Sequence, residues 1–307
     1  MATAPPLLRK GDTIGIVTPG SPLAAETINA RIATVKSMGF NVVLGKYVYE
    51  ATGFLAGTPE QRASDLMSMF ENKAVKMILP TRGGVGVQGI LPFLDYGVIR
   101  NNPKIITGYS DDTILLNVLN LFTGLITFQS LLLIDFRPDT PEYNFSQFFT
   151  AVTSTASPRQ IQNPPGRAMV SRVPGNVIGP LVGGNLTSFV GSLGTPYEID
   201  TTGRILLIEE THAPINTVYR YLLQLKTAGK FDECLGIIMG ECTGCEAAYG
   251  VTYNQLIDSF VVPLGKPLLT NVATAHGRFK AAMPIGATVN LNADNATLTV
   301  LEPTVSS

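Results

Sequence analysis

A serine stands where the chain could expose a nucleophile. Residues 108–113, Gly-Tyr-Ser-Asp-Asp-Thr, follow an apolar run and precede a helical pattern of apolar residues. Ser110 is therefore predicted to lie in a strand-to-helix turn, with its hydroxyl at the carboxyl end of a parallel strand. The free N–H groups that begin the helix would face an oxyanion formed beside it. This position suits nucleophilic catalysis, and the alternative is that Ser110 or Asp111 only caps the helix.

A serine nucleophile needs a base at neutral pH, and the sequence has 2 histidines, His212 and His276. His276 lies in a polar loop after the apolar run 267–272, where its imidazole could project into a cleft. Each histidine could equally be an ordinary surface or hydrogen-bonded residue. Glu209 follows the predicted strand 204–208 and could orient an imidazole as the acid of a triad.

A glycine-rich loop, residues 81–86, follows the predicted strand 77–79. Paired glycines let the backbone approach a ligand closely, as a phosphate site or as an oxyanion donor. The loop lacks the Lys-Ser/Thr of a P-loop and the spacing of a dinucleotide fingerprint, which weakens a nucleotide interpretation. Arg82 offers a planar guanidinium for the terminal carboxylate of a peptide, and its alternatives are a surface ion pair or a loop anchor.

Three cysteines lie close together, Cys234, Cys242 and Cys245. Zinc would need a second pair of ligands, and a thioredoxin-like site would need the pair at a helix start. We expect a structural role for the CxxC and no metal or cofactor. An odd number of cysteines is a poor disulfide framework and favours a reducing cytoplasm.

The elements that must position these residues alternate between strands and helices in the first half. Strands are predicted at 13–18, 41–44, 77–79 and 104–107, with a helix after the first strand and a second one, begun by a capping box at Thr58, after the second. Strands that alternate with helices need crossovers. The predicted fold class is therefore α/β, with a flavodoxin-like parallel sheet over residues 1–160.

The second half is predicted to be rich in β-strands. Residues 138–175 shift to Pro, Ser, Thr and Asn, are expected to hold no regular element, and contain a linker at 161–175. The second domain, 176–307, would carry Glu209 and His276. It ends in a predicted hairpin between residues 289 and 300.

Composition excludes two classes of partner. The chain has 307 residues, 45% of them hydrophobic, with 22 basic and 23 acidic side chains and a net charge of −1. Nucleic-acid binders usually carry a basic excess, and no run of Lys and Arg occurs here. No stretch of about 18 apolar residues occurs either, so neither nucleic acid nor a membrane is expected as a partner.

Short motifs in a shared order resemble the LD-carboxypeptidases, a serine peptidase family that includes the microcin-immunity peptidases. The similarity runs almost end to end. His276 stands eight residues before Pro284-Ile285-Gly286, as in the family. The other motifs are residues 11–19, Arg82-Gly83-Gly84, residues 94–96, 102–104, 108–111, 183–186, 194–196 and 207–210.

The resemblance implies a triad of Ser110, His276 and Glu209, with the backbone N–H groups of Asp111 and Gly84 as the oxyanion hole. It also implies cleavage of the bond before a terminal D-amino acid in murein tetrapeptides, in the cytoplasm, by a homodimer. Two alternatives remain: a microcin-immunity-type peptidase that cleaves an aminoacyl-nucleotide amide, and a catalytically silent peptide- or sugar-binding module.

Three positions depart from the family pattern. Ala275 replaces the usual Gly before the histidine, Val85 replaces an aromatic residue, and residues 129–131, Gln-Ser-Leu, replace His-Gly-Pro. The microcin-immunity branch has a loop Trp that stacks on a base, and this chain has 0 Trp. That absence favours the murein substrate, although Tyr or Phe could offer a stacking surface.

Overall fold

Two β-sheets organise residues 2–307, which are the part of the chain described by this computed structural model. The strands are β1 Thr13–Val17, β2 Asn41–Leu44, β3 Val75–Pro80, β4 Ile105–Gly108, β5 Thr127–Gln129, β6 Arg159–Ile161, β7 Val170–Val173, β8 Asn176–Asn185, β9 Ile205–Thr211, β10 Gly236–Thr243, β11 Leu268–Val272, β12 Met283–Ile285, β13 Thr288–Asn292 and β14 Thr297–Val300. The α-helices are α1 Ala25–Ser37, α2 Pro59–Glu71, α3 Tyr96–Asn101, α4 Asp112–Thr123, α5 Glu142–Thr153, α6 Leu186–Val190, α7 Ile215–Thr227, α8 Lys230–Glu233 and α9 Tyr253–Leu256.

The first sheet has the strand order β12-β5-β4-β3-β1-β2. Strands β1 to β5 run parallel to their neighbours, and β12 pairs antiparallel with β5. The order β2-β1-β3-β4-β5 is that of flavodoxin-like folds, as the sequence predicts. The loops that follow β1, β3 and β4 therefore meet at the carboxyl edge of the sheet, where α/β proteins bind ligands.

Local sequence explains the first two helices. α1 buries the predicted face of Ile28, Ile32 and Val35. α2 begins with the capping box in which the Thr58 side chain accepts from the Gln61 backbone N–H and the Gln61 side chain accepts from Thr58. Both signals reflect short-range geometry, and both predictions are confirmed.

The second sheet has the order β6-β14-β13-β8-β9-β10-β11-β7. Strands β8 to β11 are parallel, while β13, β14, β6 and β7 pair antiparallel at the two sides. The predicted strand-rich second half and its final hairpin are confirmed. The carboxyl ends of β9, β10 and β11 again share one edge.

The expectation that residues 138–175 hold no regular element is wrong. They contain α5, β6 and β7. The prolines that suggested a break fall between elements, and Pro141 is the N-cap residue of α5, a position where a missing N–H costs nothing.

The chain also crosses the predicted domain limits. β6 and β7, at the end of segment 1–160 and within the linker 161–175, belong to the second sheet, and β12, from segment 176–307, belongs to the first. One buried apolar cluster contains Ile16 and Phe128 from the first sheet together with Ile205 and Leu269 from the second. The two sheets are thus packed through a shared core, and the division into 1–160, 161–175 and 176–307 stays a prediction.

In the part of the chain that the structure describes, no helix combines the length and apolar character needed to span a membrane.

Candidate active site

Ser110 lies between β4 and α4 in a strained backbone conformation. Its φ is +65°, in the left-handed region that residues with a Cβ seldom adopt. Its carbonyl accepts hydrogen bonds from Thr113 N at 3.0 Å and from Ser188 Oγ at 3.1 Å, and these contacts hold the turn. Non-glycine strain of this kind clusters at functional sites, because a tight turn presents the side chain outward.

The glycine-rich loop approaches Ser110 through Gly83. A Cβ on Gly83 would stand 2.7 Å from Ser110 Cβ, 3.1 Å from Ser110 Oγ and 3.0 Å from Asp111 N. Gly84, with φ +99°, would instead direct a Cβ at Ser21. Only a residue without a side chain at position 83 leaves the Ser110 hydroxyl and the Asp111 N–H uncovered.

Asp111 fastens the glycine-rich loop to the Ser110 turn. Its Oδ2 accepts from Val87 N at 2.8 Å. Arg62 lies near and donates to the carbonyls of Gly86, at 2.8 Å, and Pro19. Burial raises the pKa of the Asp111 carboxyl, and the Val87 N–H, Ser188 and Arg62 oppose that rise. The Asp111 side chain is thus a loop anchor, and its backbone N–H remains the proposed oxyanion donor.

His276 and Glu209 are in direct contact. His276 Nδ1 lies 2.8 Å from Glu209 Oε2, and the Glu209 side chain is 1% exposed. This contact assigns the proton to Nδ1 and leaves Nε2 as the ring's acceptor. Among residues 2–307, Glu209 Oε1 has no hydrogen-bond partner, so the carboxylate is directed at the imidazole alone.

Tyr109 connects the histidine to the serine turn. Its ring packs edge-on against the His276 imidazole, with ring centroids 5.0 Å apart, and it is the residue directly before Ser110. Within the described residues 2–307, Ser110 Oγ makes no hydrogen bond to His276. Nucleophile–base hydrogen bonds are often loose without substrate and tighten when it binds.

His212 and Glu210 lie close in sequence to Glu209 but serve other contacts. His212 Nδ1 lies 2.7 Å from Thr211 Oγ1, and the ring packs against Gly244. The Glu210 carboxylate accepts from Asn185 Nδ2 at 3.1 Å and from the N–H and hydroxyl of Thr187 at 2.9 and 2.6 Å, at the start of α6.

Arg82 is half-buried beside the glycines, and within residues 2–307 its guanidinium makes no ion pair or hydrogen bond. Neither of the alternatives, a surface ion pair or a loop anchor held by side-chain hydrogen bonds, is seen there. The guanidinium is therefore free to bind an anion, and a role in binding substrate stays a prediction.

A cavity of about 550 Å³ opens onto His276. Its lining includes Tyr109, Asp135, Arg137, Arg278 and Lys280. A cavity of this size suits a small peptide.

The positions that depart from the family pattern lie in different surroundings. Val85 is exposed. Ala275, next to His276, has φ +56°, a conformation that glycine adopts readily, which explains why glycine is usual there. Gln129, Ser130 and Leu131 are buried.

Cys242 and Cys245 form a disulfide in the structure, with Cα atoms 5.4 Å apart, and Cys234 is buried and free. The expectation of a poor disulfide framework is wrong for this pair, because the turn after β10 brings the two side chains together.

Within residues 2–307, no group of three or more His, Cys, Asp or Glu side chains could hold a metal ion.

Sequence reasoning did not single out Tyr109, Asn185, Ser188 or Lys280. Ser188 Oγ donates to the Ser110 carbonyl, and Asn185 N donates to Thr113 Oγ1 at 3.1 Å, so both residues hold the Ser110 turn. Asn185 is also the N-cap of α6, where its Oδ1 accepts from the Ser188 backbone N–H at 3.2 Å. Asn185 lies in the Gly-Gly-Asn-Leu motif, which was the available signal for it.

Two family models together match most of the chain. Residues 14–130 match a family model described as the LD-carboxypeptidase N-terminal domain, and residues 178–291 match the LD-carboxypeptidase C-terminal domain. A probable murein peptide carboxypeptidase of Bacillus subtilis is 33% identical, over 98% of this chain and 95% of that protein.

Two solved structures share the fold over nearly the whole chain. The microcin C7 self-immunity protein MccF, known from Escherichia coli, superposes with a TM-score of 0.90 at 26% identity, covering 99% of this chain and 100% of the other. A muramoyltetrapeptide carboxypeptidase from Oxalobacter formigenes gives a TM-score of 0.84 at 26% identity, covering 95% of this chain and 100% of the other.

Proposed function

The chain belongs to the LD-carboxypeptidase family of serine peptidases, and from this premise we propose that it hydrolyses an L,D-peptide bond to release a terminal D-amino acid, D-Ala, from murein tetrapeptide. The observation that carries the proposal is the 2.8 Å contact between His276 Nδ1 and buried Glu209, beside the strained turn of Ser110. A catalytically silent binding module would have no need of either feature.

In the proposed reaction Ser110 Oγ attacks the carbonyl carbon before the terminal residue while His276 Nε2 accepts the hydroxyl proton. Glu209 stabilises the imidazolium that forms. The imidazolium then gives its proton to the leaving amine, which departs as the free D-amino acid. Water, deprotonated by the same imidazole, hydrolyses the acyl-enzyme and restores Ser110.

The oxyanion formed in each half-reaction is proposed to accept hydrogen bonds from the backbone N–H groups of Asp111 and Gly84. The close approach of Gly83 to Ser110 supports this assignment, since it brings the glycine-rich backbone to the nucleophile. Arg82 is proposed to bind the substrate's terminal carboxylate. A guanidinium can donate two parallel hydrogen bonds to that carboxylate and so distinguish a chain end from an internal bond.

A homodimer and a cytoplasmic location are proposed from the family resemblance. The cysteine content does not support a cytoplasmic location, because two of the three cysteines form a disulfide.

The proposed partner is a murein peptide. The acidic and basic side chains are balanced in number, which is typical of a protein with no polyelectrolyte ligand.

The second candidate function is the cleavage of an aminoacyl-nucleotide amide, because MccF structures hold aspartyl sulfamoyl adenosine and glutamyl sulfamoyl guanosine. The absence of Trp disfavours it. Mass spectrometry separates the two functions: the protein is incubated with murein tetrapeptide and, separately, with an aminoacyl-nucleotide amide. We expect free D-Ala from the first and little cleavage of the second, whereas the opposite result would overturn the murein assignment.

A further inference from the structure

Lys280 is a buried lysine whose ammonium lies inside the loop that carries His276. Its side chain is 9% exposed. Nζ donates to the carbonyl of Gly277 at 3.0 Å and to the carbonyl of Ala275. These are the residues on either side of His276, so the loop closes around the ammonium.

The same ammonium also faces the serine turn. It stands 4.7 Å from the centroid of the Tyr109 ring and 3.9 Å from Asp135 Oδ1. The Tyr109 hydroxyl donates to Asp135 Oδ1 at 3.2 Å, and Tyr109 directly precedes Ser110. One cation thus contacts the backbone that holds the base and the residue that adjoins the nucleophile.

We infer that Lys280 is a positioning residue, whose ammonium fixes the His276 loop against Tyr109 so that the imidazole meets Ser110. The inference rests on the proposed function for the identity of the reacting pair. It goes beyond that function because it gives a buried lysine, outside the triad, a role in the alignment of the triad.

The loop needs such a restraint because its backbone is strained. Ala275 is held at φ +56°, a conformation that alanine leaves unless its surroundings impose it. An ammonium is suited to this because it offers three donors, two of which meet the two carbonyls. A neutral side chain of equal length would leave both carbonyls buried without a donor.

The main chain at Lys280 has a separate anchor. Lys280 N donates to Asn144 Oδ1 at 2.9 Å, and Asn144 Nδ2 donates to Arg278 O at 3.1 Å. Asn144 belongs to α5 and is 1% exposed. Removing the Lys280 side chain therefore leaves this end of the loop attached to the protein.

Carboxylates around Lys280 favour its charged form. Burial lowers the pKa of Lys280, while Asp135, Glu209 and Glu241 favour its charged form and Arg137 opposes it. The ammonium form that these carboxylates favour is the form that donates to the carbonyls of Ala275 and Gly277.

The test compares Lys280→Met with Lys104→Met. Lys104 is an equally buried lysine in the first domain, whose Nζ donates to the carbonyls of Val75 at 2.5 Å and Asn72 at 2.6 Å. Both variants lose a buried ammonium that binds two carbonyls, but only Lys280 adjoins His276. Circular dichroism and urea unfolding establish that each variant is folded.

For Lys280→Met we expect kcat to fall about 100-fold with KM changed less than about threefold, since a small misplacement of a catalytic group has an effect of that size. Labelling of Ser110 by a serine-directed phosphonate should slow by a similar factor. Lys104→Met should retain both rates.

Chemical rescue gives an independent measurement. Lys280→Cys is treated with 2-bromoethylamine, which alkylates the thiol and restores an ammonium at nearly the original length. We expect recovery of at least about tenfold in the phosphonate rate. Wild-type protein treated in the same way controls for reaction at Cys234, which is buried.

Each outcome decides the inference. Wild-type rates in folded Lys280→Met, or no recovery after aminoethylation, would overturn it. If Lys280→Met does not fold, Lys280→Met with Asp135→Asn removes the buried charge partner as well, and failure of that variant to fold would also overturn it. Labelling without D-amino acid release in wild type would contradict the proposed function alone. Absence of labelling in wild type would overturn both.

Discussion

At the residue scale, the structure separates two adjacent glutamates that the sequence leaves alike. Consecutive residues of a strand point to opposite faces, so Glu209 and Glu210 of β9 meet different partners. Glu210 accepts hydrogen bonds at the start of α6, while Glu209 is directed at His276. A buried carboxylate with one imidazole partner can only serve to orient that ring and to stabilise its cation.

We therefore expect His276 and Glu209 to act as one unit. His276→Ala and Glu209→Ala should each lower kcat about a thousandfold or more, and the double variant should lose little beyond the larger single loss. The measurement is a double-mutant cycle on kcat with murein tetrapeptide.

His212→Ala provides the matched histidine control. We expect it to retain kcat within about twofold, because its ring contacts Thr211 and Gly244 and not Glu209. Additive losses in the cycle would show that His276 and Glu209 act independently. A large loss of kcat in His212→Ala would show that His276 is not the base.

Arg82 supports a second prediction at this scale. Arg82→Lys keeps the charge but loses the planar fork, so we expect about 1.5 to 3 kcal/mol of lost transition-state binding, the range of a hydrogen bond to a charged group. The loss should vanish for a C-terminally amidated tetrapeptide. kcat/KM is compared for both substrates, and an equal drop for both would leave Arg82 as scaffolding.

At the scale of elements, the carboxyl ends of β3 and β4 bring the glycine-rich loop against the serine turn. Gly83→Ala places a methyl group 2.7 Å from Ser110 Cβ, where no atom fits without displacement. We expect kcat/KM to fall about 100-fold, because the nucleophile or the oxyanion donors must shift.

Gly89→Ala is the control, since Gly89 lies in the 3-10 helix Val87–Phe93 that follows the loop, and a Cβ there finds its nearest atom, Arg62 Nη2, at 3.7 Å. This variant should keep kcat/KM within about twofold, because the substitution touches no part of the site. Equal activity of the two alanine variants would show that a methyl group at position 83 fits beside Ser110. The glycine-rich loop would then not form a wall of the reaction site.

The elements themselves were predictable where short-range signals decide them. The capping box of α2, the buried face of α1 and the hairpin β13–β14 follow from residues three or four apart or from strict alternation. Residues 138–175 differ from the prediction because their prolines lie between α5, β6 and β7, where proline is compatible with regular structure on either side.

At the scale of the whole molecule, contacts between distant segments were beyond sequence reasoning. Asn144 reaches residues 278–280 across more than a hundred residues, and β12 returns to the first sheet from the end of the chain. Neither contact follows from a periodic pattern, and the Pro284-Ile285-Gly286 motif does not indicate which strand β12 joins. The residues of the proposed triad could be named because they stand at or shortly after the carboxyl ends of predicted strands, where parallel sheets place functional side chains.

The shared core between the two sheets has a functional consequence. Ser110 follows β4 of the first sheet, whereas Glu209 lies in β9 of the second sheet and His276 follows β11 of the second sheet. The proposed site therefore exists only where the two carboxyl edges meet. Lys280 and Tyr109 lie at that junction. Alignment of the site therefore depends on the packing of the whole chain.

The central claim is that Ser110 is the nucleophile of a carboxypeptidase. It is tested most directly by the release of D-Ala from murein tetrapeptide by wild type and Ser110→Ala, together with mass-spectrometric location of the phosphonate adduct. We predict release and an adduct on Ser110 in wild type, and neither in a Ser110→Ala protein with an unchanged unfolding midpoint, because the substitution removes one hydroxyl and little packing. Full hydrolysis by folded Ser110→Ala, or an adduct on another residue, would contradict the account.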